Sequence, residues 1–157
     1  MKRSIIKKAG IALLVIFIVI QFIPTLKNTG NAAGPDDIST VTHIPGEVQQ
    51  ILNNSCYDCH SNKTTYPWYS RIQPVGLWLN HHIDEGKHKL NFSEFAAYKL
   101  KRQLHKLDEV VETIGEQEMP LESYTLIHKT AVLNEEQKRI VISWARQSRL
   151  QLEDTIR

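Results

Sequence analysis

The chain's only two cysteines, Cys56 and Cys59, lie in the stretch NNSCYDCHSN, residues 53–62, with His60 directly after the second. Residues three apart on a helical turn share a face, so the two thiols stand side by side and an imidazole completes the turn from Cys56. Thiols at that separation can each add to one vinyl group of a haem while the imidazole falls under the iron, so the spacing C-x-x-C-H reads as covalent c-type haem attachment. Three other uses of paired cysteines compete. A thioredoxin-like dithiol needs a βαβ setting, and no such pattern is visible. A zinc site needs two further ligands, for which His82 and His88 are the best pair, without a second cysteine pair to support them. A disulfide across three residues closes too small a loop to stabilise much. One covalently attached haem c is the expected cofactor.

With His60 as one axial ligand, the residue opposite it on the iron decides the chemistry. Met119, in EQEMPLESY, is the leading candidate: it is the only methionine after the initiator, and Pro120 restricts its backbone. Its neighbours Glu116, Gln117, Glu118 and Glu122 are polar, which argues against a methionine that merely fills a core gap. His81 or His82, behind the apolar run VGLWL, is the second choice, ahead of His128 and His88, while His105 sits among charged neighbours and reads as solvated. Arg71 and the lysines are the cations available to the haem carboxylates, and spacing does not select among them.

These residues must be positioned by helices, because the periodic signals are helical and no strand alternation or hairpin turn stands out. A short helix follows Pro45 and Gly46 with Val48, Ile51 and Leu52 on one face, and a second is expected over about 75–85, ahead of Gly86. Asn91 and Glu94 suggest a capping box for the clearest amphipathic helix, with Ala96, Leu100, Leu104, Leu107, Val111 and Ile114 on its apolar side and Gly115 as its stop. Asn134 and Gln137 repeat the cap before a last helix burying Ile140, Val141, Trp144 and Ala145.

The formal charge of +2 misleads, because Lys2, Arg3, Lys7 and Lys8 are four of the 19 basic residues; the remaining 15 face 17 acidic ones. A near-neutral domain lacks the basic face that phosphate contacts need, so nucleic acid is not an expected partner. Residues 9–26, AGIALLVIFIVIQFIPTL, are uncharged and long enough on paper to span a bilayer, and the basic start points to a cytoplasmic N-terminus. A cleavable signal peptide competes, but no small-residue site closely follows the apolar run. The expected organisation is a transmembrane anchor over 1–26, a flexible linker over 27–42, a haem-binding domain over 43–150 and a tail over 151–157.

The segments CYDCHSNKTTYPWYSRIQPV, LNHHIDEGKHKLNFSEF and EMPLESYTLIH together resemble the haem-binding domain proteins common in Bacteroidetes, and the order of motif, Met-Pro loop and closing helix resembles a small monohaem cytochrome c. The resemblance covers about residues 43–149. It implies Cys56 and Cys59 as attachment points, His60 as proximal ligand, Met119 as distal ligand, and one N-terminal membrane anchor. The expected protein is all-α, a small cytochrome c-like domain on a single-pass helix in a bacterial inner membrane. Its haem domain would lie in the periplasm and pass single electrons between redox partner proteins. The alternatives are a peroxidase-like enzyme and a haem-based sensor.

Overall fold

The computed structural model describes residues 2–155, which form seven α-helices and no strand. In chain order these are α1 (Lys2–Ile20), α2 (Gly46–Ser55), α3 (Tyr57–His60), α4 (Val75–Lys89), α5 (Leu100–Gly115), α6 (Glu122–Thr125) and α7 (Glu135–Asp154). Short 3-10 turns over Ile38–Thr40, Trp68–Arg71, Phe92–Ala97 and Lys129–Ala131 lie between them.

The most extensive helix pair is α5 with α7. Leu107, Val110 and Ile114 of α5 are buried, as are Val141, Trp144, Ala145 and Leu152 of α7, each set at the three- and four-residue steps of an apolar helix stripe. Val48, Ile51 and Leu52 of α2 join the same core. Asn134 and Gln137 make the expected reciprocal cap: each side chain accepts from the other's backbone N–H, at 2.8 and 3.0 Å. The tail expectation is corrected in part, because α7 continues to Asp154 and Leu152 is buried. Ile156 and Arg157 lie outside the described residues.

Asn91 does cap, but it caps a 3-10 turn and not the long helix. Its side chain accepts from the Ser93 N–H, and Phe92 and Phe95 are both buried at the three-residue repeat of that turn. Tyr98 then leaves helical geometry, its hydroxyl accepting from the Asn91 N–H at 3.0 Å, and α5 starts afresh at Leu100. The helix stops at Gly115, yet the left-handed position is taken by Gln117, with φ 63°. The amides of Glu118 and Met119 both return to the carbonyl of Thr113, at 2.9 and 3.2 Å.

Residues 27–42 are not a free tether. Asn28 donates its side-chain amide to the Ser61 carbonyl and the Thr64 hydroxyl and accepts from Lys87, while its backbone N–H donates to the Tyr66 hydroxyl. Ile38 is completely buried. The polar composition that suggests a linker here supplies loop hydrogen bonds to the domain, and one isoleucine fixes the segment to the core.

The anchor is corrected too. Among the described residues no helix is long and apolar enough to cross a membrane. α1 includes Lys2, Arg3, Lys7 and Lys8, and ends at Ile20, so the apolar stretch of the sequence is divided between helix and non-helical chain. Its uncharged part, residues 9–20, rises only about 18 Å at 1.5 Å per residue, against roughly 30 Å of hydrocarbon. The reading of a single-pass inner-membrane protein with a cytoplasmic N-terminus and a periplasmic haem domain therefore loses its span. Gln21, just past α1, exchanges two hydrogen bonds of 3.0 Å with the backbone of Gln73 and so ties this end to the domain.

Candidate functional site

The C-x-x-C-H segment follows α2 almost without a break. The Cys56 N–H still bonds the Leu52 carbonyl at 2.9 Å, but Cys56, at φ −127°, leaves helical geometry and separates α2 from α3. The His60 N–H then closes the next turn onto the Cys56 carbonyl at 2.9 Å. Two contacts fix this turn from outside. The Ser61 hydroxyl, fully buried, donates to the Tyr57 carbonyl at 2.7 Å. Gly86 of α4 lies so near that a Cβ there would stand 2.8 Å from the Cys59 carbonyl oxygen. Gly86 therefore does not end its helix, which runs on to Lys89; it lets α4 approach α3.

His60 is oriented by backbone. Its Nδ1 lies 2.9 Å from the Leu90 carbonyl oxygen, which can only accept, so Nδ1 carries the proton. Burial lowers the imidazole pKa and outweighs the opposing carbonyl contacts, so the ring is neutral and Nε2 keeps a lone pair. Phe92 packs edge-on against the ring, with centroids 6.4 Å apart. A neutral imidazole with one nitrogen tied to a carbonyl is the usual form of a metal-binding histidine.

His60 lines a cavity of about 510 Å³, within the usual range for small-molecule and cofactor sites. Its apolar wall includes Leu52, Phe92, Val110 and Val141. Cys56 and Met119 line the same cavity. Met119 is half-buried, presented by the turn that ends α5. A chamber that combines this apolar wall with charged side chains, and holds a neutral imidazole, a thioether and a thiol, suits a porphyrin iron, a soft-to-borderline metal in a flat hydrophobic frame with charged edges.

Cys59 is placed differently from the expectation of two adjacent thiols. It is absent from the cavity wall and lies instead against Leu79, Ile83 and Tyr124, beside the neighbouring α4. The two cysteines form no disulfide with each other. Burial, with a smaller contribution from Cys59, pushes the Cys56 pKa up to about 12, and burial followed by the Asp58 charge pushes Cys59 up to about 11. Catalytic dithiols need the opposite shift, so these surroundings do not suit thioredoxin-like exchange. Nor do any three His, Cys, Asp or Glu side chains among the described residues form a metal-binding group.

The alternative iron ligands are elsewhere. His81 is largely exposed and stands 3.5 Å from Glu85, while His82 directs Nδ1 to the Trp78 carbonyl and packs at a tilt against the Trp78 ring. Neither lines the cavity, and His88 and His128 do not either. His128 joins a cluster that sequence reading missed: its ring stacks on Tyr124 at 4.2 Å, and its Nε2 lies 2.5 Å from the Tyr69 hydroxyl oxygen. Tyr124 in turn donates to Asp58, one of the two free positions of the motif, at 2.9 Å. The segment following Met119 is thereby joined to the turn that bears the cysteines. No signal in the residue types announces this, because the partners are 66 positions apart.

A family model described as "Haem-binding domain" matches residues 15–147. Comparison with curated proteins gives no match, and comparison with solved structures gives none. The match runs from within α1 to within α7, takes in the cavity, the motif and the segment read as a linker, and shows that the chain belongs to the haem-binding domain family.

Proposed function

We propose that this haem-binding protein would hold one haem covalently through Cys56 and Cys59, with His60 and Met119 as the residues that would bind its iron, and that it transfers single electrons between protein partners. The observation that carries the reading is that an oriented, neutral His60 and Met119, the one methionine besides Met1, line one cavity with a largely apolar wall. When bound, the haem supplies a one-electron ferric/ferrous couple. His60 offers its Nε2 lone pair without first losing a proton. The thioether of Met119 favours the reduced metal, and the apolar wall disfavours the extra charge of the oxidised form. In attachment each S–H adds across a vinyl C=C, forming one C–S and one C–H bond, and no oxidant is needed. Cys56 is already at the cavity, whereas Cys59 must rotate its side chain away from Leu79 and Ile83.

Fold alone would not support electron transfer; the ligand set does. A peroxidase-like role is the second reading, and His81 and His82, the acid–base groups expected for it, stand away from the cavity. Absorption spectra of the wild-type protein and Met119→Ala test the assignment. The wild type should show low-spin iron with the weak red band of methionine ligation, and Met119→Ala should lose that band and show a lower potential. Identical spectra would remove Met119 from the iron.

A further inference from the structure

Two of the residues lining the cavity are lysines, Lys89 and Lys106, and they are not equivalent. Lys89 ends α4 and is exposed. Lys106, on α5, has a side chain only 12% exposed, and its ammonium pairs with Glu109, also at the wall. Arg71 sits on the Trp68–Arg71 turn and does not line the cavity.

A lysine whose side chain is this covered keeps its ammonium near the wall, where an anion beside it is favoured. Glu109 serves, but it is divided: one carboxylate oxygen takes Lys106, and the other lies 3.1 Å from Nε2 of the exposed His105. Glu112, Glu116 and Glu118 line the same cavity, so an anionic group entering it meets repulsion from most of the charged wall. One withdrawn cation, held by a carboxylate with a second partner outside, is the position that an incoming carboxylate can take over.

We infer that Lys106 is the anchor for a carboxylate of the bound porphyrin, and that Glu109 is the internal counter-ion which this carboxylate displaces toward His105 and solvent. The exchange replaces one ion pair by another and makes no covalent bond. It makes the affinity for a porphyrin dicarboxylate, relative to its diester, depend on Lys106, and it fixes which edge of the macrocycle faces α5. The inference rests on the haem reading of the cavity.

The test uses the full chain carrying Cys56→Ala and Cys59→Ala, so that binding is reversible. The protein is titrated with ferric haem and with haem dimethyl ester, and tryptophan quenching gives a dissociation constant for each. Lys106→Gln should lower the preference for the diacid by about tenfold, the scale of one charge-assisted pair. Glu109→Gln should raise it several-fold, since the competitor is gone. A purely structural role for either residue would weaken both ligands alike and leave the ratio unchanged. A ratio unmoved by Lys106→Gln, or lowered by Glu109→Gln, overturns the inference while leaving the haem site standing. If Lys106→Gln does not fold, the sign of the Glu109→Gln change decides alone. Failure of both ligands to bind the parent protein overturns the haem reading and the inference together.

Discussion

His60 shows how much of an imidazole's character comes from a group with no side chain. The Leu90 carbonyl, 30 positions away, fixes the tautomer, and Phe92 holds the ring from its edge. Phe92 is buried and also packs on Tyr57 at 5.3 Å, so Phe92→Ala should cost about 3–5 kcal/mol of stability, measured by denaturant unfolding. Tyr124 offers a smaller, local test. Tyr124→Phe leaves the ring stacked on His128 but removes the hydrogen bond to Asp58, which should cost about 1–2 kcal/mol in the same measurement; no change in unfolding would mean that the bond exchanges freely with water. The motif residues Cys56, Cys59 and His60 are legible as types at a spacing. The Leu90 carbonyl is not, because every residue has one. Choosing Lys106 over the other cations also required the fold, since burial and not residue type distinguishes it.

Among the elements, the amphipathic stripes of α5 and α7 and the Asn134–Gln137 cap are readable because each is written in local periodicity. Gly86 misleads because its role depends on a neighbour, and Gly115 misleads because the left-handed position falls two residues later, at Gln117. Gly86 reads as a helix stop, but it is the contact surface between α4 and the Cys59 turn. Gly86→Ala should cost about 1–3 kcal/mol by overpacking and should lower the yield of attached haem, quantified as the ratio of haem absorbance to protein. Gln117 bears the left-handed strain that a glycine would carry without penalty. Gln117→Gly should therefore stabilise the domain by up to about 1 kcal/mol, seen as a raised melting temperature; a lowered one would mean that the side chain contributes more than the backbone conformation costs.

For the whole molecule, the folded unit reaches back beyond residue 43 to Asn28, while α1 contributes no buried residue. Deleting residues 2–20 should leave the melting temperature nearly unchanged, whereas deleting residues 2–42 should abolish cooperative unfolding, because Ile38 and the Asn28 hydrogen bonds go with it. Composition concealed this: a segment poor in apolar residues looks like a tether until one of those few is found in the core. The apolar start misled in the opposite way, since counting uncharged residues does not show where the helix ends. What unites the molecule is a chamber closed by α2, α5, α7 and the Met119 turn around the end of the cysteine motif. The intact mass of protein matured in a host able to attach haem, measured after full denaturation, tests this most directly. The account predicts a single species heavier by one haem, reverting to the bare polypeptide in the Cys56→Ala, Cys59→Ala double variant. A wild-type polypeptide that emerges at its bare mass, with haem free in solution, would contradict it.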